Sequence, residues 1–262
     1  MEYFLKAENT TIHISDSQKG EKVILLLHGY LETLNVWEKI QKELSKSYRV
    51  ISIDLPGHGL SGTHPESNTL SFSANEVHKL FSKQGIDKAS IIGHSMGGYI
   101  AVEFLKLFPK SVESIVLINS TPYSDSDEKK LERAREIELI KAGKLQNISS
   151  LSIPNMFAKD NQLKFSESID EIIENAQIHE PEGIISSIRG MMQRENNLEV
   201  LQKSSVPTML IMGTQDVYIV QEKARKLIEE LPNSVNHIIE GGHILFIEKE
   251  VEVTSILKGF LP

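Results

Sequence analysis

The chain of 262 residues is 40% hydrophobic and 6% aromatic, enough to bury a large core, and its length fits one domain carrying an insertion or two small domains. Its 36 acidic against 28 basic side chains give a net charge of −8 and a pI near 5.6, which disfavours a protein that holds nucleic acid by neutralising phosphates. Cysteine is absent, so disulfides, thiolate zinc sites and a cysteine nucleophile are excluded.

The N-terminus has an early acid, Glu2, and no apolar stretch of signal-peptide length, so a cytoplasmic protein is expected. The stretch up to Ser17 ends in a polar turn and is expected to form an antiparallel pair at a sheet edge. Short runs rich in β-branched residues and leucine follow at 23–27, 50–53, 89–92, 115–118, 208–211 and 235–239. Most are apolar without interruption, as strands buried on both faces should be. The richest, 23–27, is strand-sized and far short of the ~18 residues of a membrane span, so no membrane insertion is expected. Segments at 35–46, 71–84, 96–108, 220–231 and 245–259 are long enough for helices, and Pro109 and Pro232 mark the ends of two. Strands alternating with helices predict a mostly parallel sheet with helices on both faces.

The alternation breaks between 121 and 200, where only helix-like pieces occur. Ile169, Ile172, Ile173 and Ala176 share one helical face; Pro181 opens another helix, with Ile184, Ile185, Ile188, Met191 and Met192 along it. The expectation is a core formed by 1–120 and 201–262, with a helical cap at 121–200 over the end of the sheet where ligands bind. The plainer reading is a set of ordinary packing helices. The apolar face makes Ile188, Met191 and Met192 candidates for the wall of a substrate pocket, although the same stripe could serve cap-to-core packing.

Chemistry enters at Gly93-His94-Ser95-Met96-Gly97, where an expected strand runs directly into an expected helix. Gly-x-Ser-x-Gly alone is a weak signal. In that context it predicts a nucleophile elbow, a turn so sharp that the flanking positions must be small. A serine hydroxyl needs a base and a third group that fixes the base's tautomer. Asp216 follows a strand directly, and of the nine histidines only His237 and His243 come after it. His237 falls in mid-strand, whereas His243 stands in the loop beyond, after Gly241 and Gly242, so Ser95, Asp216 and His243 form the expected triad. The competing role for Asp216 is a helix N-cap, and Glu240 is a minor rival for the acid. The oxyanion of a tetrahedral intermediate needs backbone donors, for which the amides of Met96 and Tyr30 are the candidates. His28, His58 and His94 are expected to shape loops instead of moving protons.

Together, His28-Gly29, Asp54-Leu55-Pro56-Gly57-His58-Gly59, Gly93-His94-Ser95-Met96-Gly97-Gly98, Gly213-x-x-Asp216 and Gly242-His243 resemble the α/β-hydrolase superfamily, specifically its capped single-domain members. The resemblance runs from about residue 20 to the C-terminus with only the cap unmatched. It implies the α/β-hydrolase fold with an eight-stranded sheet, hydrolysis through an acyl-enzyme, and no cofactor or metal. Two departures are visible: the loop after Gly29 lacks the extra glycines of some esterases, and Asp216 is followed by Val217-Tyr218-Ile219 without a proline. The serine excludes the haloalkane dehalogenase and epoxide hydrolase branches, which carry aspartate at the elbow.

The expected partner is a small-molecule ester-like substrate, acted on by a monomer or homodimer. A lyase like the menaquinone-pathway synthase, a C–C bond hydrolase using the same triad, and a low-turnover ligand receptor or regulatory partner are the alternatives. A polycarboxylate substrate would favour cap arginines, and Arg133, Arg135, Arg189 and Arg194 are available. Residues 122–200 nevertheless hold 10 Lys and Arg against 15 Asp and Glu, a net of −5, which argues for a small to medium, mostly apolar ester or thioester.

Overall fold

The apolar runs become the middle of a single sheet. In a computed structural model describing all residues 1–262, the strands are β1 (Glu2–Lys6), β2 (Thr11–Asp16), β3 (Val23–Leu27), β4 (Arg49–Ile53), β5 (Ala89–His94), β6 (Val112–Ile118), β7 (Thr208–Gly213) and β8 (Val235–Ile239). They form one eight-stranded sheet in the order β1-β2-β4-β3-β5-β6-β7-β8. Every residue of β5 and β7 is buried, which explains why their sequences do not alternate. β1, at the edge, alternates between exposed and half-buried. It pairs antiparallel with β2, from Glu2 opposite Ser15 to Lys6 opposite Thr11; β2 pairs antiparallel with β4, and all other neighbours are parallel.

This order fixes where a ligand can bind. β3 lies between β4 and β5, so the chain leaves β3 towards one edge and returns to build towards the other. At such a reversal the loops beyond the carboxyl ends of the strands diverge and leave a crevice. The loop at His28 and the turn at Ser95 stand there, at the ends of β3 and β5.

Helices Leu70–Gln84 and Met96–Leu107 pack together, as do Glu38–Leu44 and Glu250–Phe260, giving helices on both faces of the sheet. The single helix expected over 245–259 is two, Leu245–Glu248 and Glu250–Phe260, because Lys249 leaves helical geometry at φ −128°, ψ 41°. At that break the Glu248 carboxylate bonds the amides of Gly242 and Ala158.

Between β6 and β7 the chain forms five α-helices, two short 3₁₀ turns and no strand, the α-helices being Asp127–Lys141, Leu145–Ser152, Ser166–Gln177, Pro181–Met192 and Leu198–Lys203, the last reaching past the boundary expected at 200. Helix Pro181–Met192 lies against the loop after β4, with Gly183 so close to Gly57 that an added Cβ would stand 2.5 Å from the Gly57 carbonyl oxygen. Asn68 N donates to Ser186 O at 3.0 Å, and Ser187 Oγ donates to Pro56 O at 3.2 Å, beside it. Ile184, Ile185, Ile188 and Met191 are buried in the same continuous hydrophobic cluster as the sheet. At about 1.5–3 kcal/mol for each fully buried side chain, this contact holds the helical segment to the core as one packing unit. No helix is long and apolar enough to cross a membrane.

Candidate active site

β5 passes into helix Met96–Leu107 through Ser95, at φ 47° and ψ −113°. A non-glycine residue in such a conformation costs of order 1–3 kcal/mol and persists only where its surroundings hold it. Here Ser95 N donates to Ile118 O at 3.1 Å, and Ser95 O accepts from Ser120 Oγ at 2.7 Å. The two flanking glycines are required by contact. A Cβ on Gly93 would come within 2.6 Å of the Gly97 backbone, and one on Gly97 would collide with the Leu27 carbonyl oxygen. Ser95 itself is half-buried, facing the crevice.

The structure brings His243 and Asp216 together. His243 Nδ1 lies 2.7 Å from Asp216 Oδ2, and both residues are buried. A carboxylate only accepts, so Nδ1 carries the proton and Nε2 is left with its lone pair. Asp216 Oδ1 accepts from the amides of Tyr218 (2.7 Å) and Ile219 (3.0 Å), so the aspartate caps a turn through one oxygen and orients the histidine through the other. Burial alone would lower the His243 pKa; the Asp216 charge and hydrogen bond, with Glu32 behind them, outweigh it and hold the imidazole above 6.5. Burial likewise opposes ionisation of Asp216, and His243 together with the two amides overcomes it and holds the carboxyl below its ordinary value. Glu240 is exposed, and His237 is half-buried within β8.

Ser95 Oγ and His243 Nε2 are not hydrogen-bonded to one another; such bonds often tighten only when substrate is bound. The Ser95 turn and the His243 loop are joined by the residue beside Ser95. His94 Nε2 donates to His243 O at 2.9 Å, while its Nδ1 stands 3.1 Å from Glu32 Oε2. The buried His94 ring thus bridges the Glu32 carboxylate and the His243 backbone carbonyl. Burial opposes the Glu32 charge, but His94 and the Gly29 amide, 2.7 Å from Oε2, hold the carboxyl below its ordinary range. From the helical segment, Met156 O accepts the His243 amide at 2.6 Å.

Met96 opens its helix, so its amide has no acceptor within that helix. Tyr30 follows His28-Gly29, and its hydroxyl donates to Glu136 Oε1 at 2.8 Å. His28 donates from Nδ1 to Gly29 O and accepts the Leu55 amide at Nε2, so it shapes the loop. The His58 amide closes a turn onto Leu55 O at 2.9 Å. Burial, with His28 and His179 beside it, pushes the His58 imidazole well below its ordinary pKa.

Of the pocket candidates, Ile188 (0% exposed) and Met191 (2%) are buried within the hydrophobic core cluster, whereas Met192 is half-buried against it. The residues not singled out from sequence are Glu32, Asn119, Glu136 and Glu248, each a polar side chain whose partner lies far away in the chain or across a loop. No group of three or more His, Asp or Glu side chains is arranged to hold a metal ion.

The family model of the alpha/beta hydrolase fold matches residues 22–250. A protein of Cronobacter turicensis named putative carbamate hydrolase RutD is 25% identical over 252 residues, spanning 94% of this chain and 93% of that protein. A putative esterase/lipase of Haemophilus influenzae is also 25% identical, spanning 91% of this chain and 83% of its own. A thermophilic esterase from Thermogutta terrifontis superimposes with a TM-score of 0.93 at 25% identity, over 100% of this chain and 98% of that one. The enol-lactonase from Burkholderia xenovorans LB400, at 22% identity, shares the fold with a TM-score of 0.91 over 99% of each chain. With the family match running from just before β3 to the start of the last helix, the chain is an enzyme of the α/β-hydrolase fold family.

Proposed function

We propose that the protein is a serine hydrolase that cleaves a small to medium, mostly apolar carboxylic ester or thioester through an acyl-enzyme. The observation that carries this reading is the hydrogen-bonded path from Asp216 through His243 to His94, which ends beside a serine in strained elbow geometry. In the reaction, Nε2 of His243 takes the Ser95 proton as Oγ attacks the acyl carbon, and Asp216 stabilises the imidazolium that forms. The Tyr30 and Met96 amides donate to the oxyanion. His243 then protonates the departing alcohol or thiol; in the second half it takes a proton from the water that attacks the acyl carbon and returns it to Ser95 Oγ as the Ser95–acyl bond breaks and the acid leaves.

The helical segment 121–200 acts as the cap. Its acidic balance works against polyanionic substrates, and Met192 is the member of the apolar stripe left free to meet a substrate. The esterase names among the similar proteins support ester hydrolysis. A carbamate is the second reading, supported by the similarity to the Cronobacter protein, since it presents the same kind of acyl carbon to Ser95. Turnover of p-nitrophenyl esters of increasing acyl length tests the proposal. Activity should peak at short to medium chains; a maximum near sixteen carbons, or turnover of polycarboxylate substrates alone, contradicts it.

A further inference from the structure

We propose that Glu136 is a positioning residue for the oxyanion hole, holding the Tyr30 hydroxyl so that the backbone amide of Tyr30 stays aimed at the reacting acyl group. This rests on the serine-hydrolase reading of the same site. The loop carrying Tyr30 is strained: Leu31, next in the chain, has φ 62°. Such a conformation relaxes unless the surroundings oppose it. On the inner side the loop is fixed by Glu32, which accepts the Gly29 amide at 2.7 Å, and by His28, which donates to Gly29 O at 2.7 Å. On the outer side, Tyr30 is tied by a hydroxyl-to-carboxylate bond of 2.8 Å to Glu136, on helix Asp127–Lys141. Hydrogen bonds to an ionised acceptor are roughly twice as strong as neutral ones.

The same helix is anchored to the other half of the oxyanion hole. Arg133, one turn before Glu136, bonds Asp125 Oδ2 through Nε at 2.7 Å, and Asp125 Oδ1 holds Arg194 at 2.8 Å. The Arg194 guanidinium lies 4.1 Å over the ring of Tyr99, on the helix that Met96 opens. One helix of the segment between β6 and β7 is therefore keyed to the loop of one amide donor and to the helix of the other. Burial and the Glu136 carboxylate push the Tyr30 phenol well above its ordinary pKa, so it remains a donor across the working range of pH. A helical segment seated in this way completes the oxyanion hole as well as enclosing the substrate.

The test uses a short-chain p-nitrophenyl ester and a trifluoromethyl ketone, which forms an oxyanion on Ser95. Tyr30→Phe and Glu136→Ala should each lower kcat about 5- to 30-fold with KM within about twofold, and weaken ketone binding by the same factor. The double variant should be no worse than either single one. Glu136→Gln keeps an acceptor oxygen and should retain at least half of kcat. A rise in KM with kcat unchanged, losses that multiply in the double variant, or a Gln variant as impaired as the Ala variant overturns the proposal. Tyr30→Phe and Glu136→Gln are close to isosteric, so they decide the matter even if Glu136→Ala folds poorly. Ser95→Ala separates the two layers of the argument: retained turnover removes the serine mechanism and this role with it, whereas lost turnover beside an unaffected Tyr30→Phe removes this role alone.

Discussion

Asn119 donates from Nδ2 to Asp216 Oδ2 at 2.9 Å, so the carboxylate that orients His243 is itself held from the end of β6. The same amide group donates to Gly242 O at 2.8 Å, and Asn119 Oδ1 accepts the Gly213 amide at 3.0 Å. Asn119 thus ties the ends of β6 and β7 and the histidine loop together, from a backbone conformation, φ 44°, that asparagine tolerates better than most residues.

Replacing this residue tests that arrangement. Asn119→Ala leaves buried polar groups unpaired at about 1–3 kcal/mol each, so unfolding stability should fall by roughly 2–4 kcal/mol. Because Asp216 loses one of its supports, kcat should fall at least about tenfold. Urea denaturation and steady-state kinetics measure both, and a variant matching the wild type in each shows that Asn119 is not a support.

Asp216→Asn should remain folded and lose about 10⁴ in kcat, since an amide in that place favours the wrong histidine tautomer and does not stabilise the imidazolium. Glu240 is exposed and offers no substitute. A loss under about tenfold, with the fold unchanged by circular dichroism, means that Asp216 does not act on His243 in the reaction.

Activity should rise with pH, because only neutral His243 accepts the serine proton. With the His243 pKa raised above 6.5, the midpoint of kcat/KM should lie above that value. In Asp216→Asn the lowering effect of burial remains without its counterweight, so the residual activity should show a midpoint shifted down. Stability carries the matching sign. The raised histidine contributes stability present below about pH 6.5 and lost as pH rises through its folded value, whereas the lowered Asp216 contributes above its unfolded value and loses this as pH falls. A flat profile from about pH 5 to 8 counts against a histidine base.

Glu32 and His94 lie in contact, Nδ1 3.0 Å from Oε1, with both side chains fully buried. Glu32→Ala removes the acceptor of the buried Gly29 amide and the partner of His94 Nδ1, at about 1–3 kcal/mol each, so it should destabilise the protein by roughly 2–4 kcal/mol. Because His94 also holds the His243 carbonyl, kcat should fall with it. A loss under about 1 kcal/mol in urea denaturation means that Glu32 does not hold the loop at Gly29.

The central strands were legible because burial on both faces leaves uninterrupted apolar runs, as in β5 and β7 before Ser95 and Asp216; β8, before His243, is an exposed edge strand interrupted by Asn236 and His237 and was legible only from its β-branched residues. Asn119, Glu32 and Glu136 were not, since their roles depend on partners 97, 62 and 106 residues away and leave no local periodicity. The stripe of Ile188, Met191 and Met192 was ambiguous for a different reason: a pocket wall and a packed interface need the same side chains, and burial separates only Ile188 and Met191, enclosed in the core cluster, from the half-buried Met192. The break at Lys249 was hidden because the residues on either side suit a helix; it is accompanied by the hold of Glu248 on the histidine loop.

The most direct test of the central claim is mass spectrometry of the protein after reaction with a fluorophosphonate. The account predicts one adduct, on the peptide containing Ser95, and loss of both labelling and ester turnover in Ser95→Ala. An adduct on a different serine, or turnover that survives in Ser95→Ala, contradicts it.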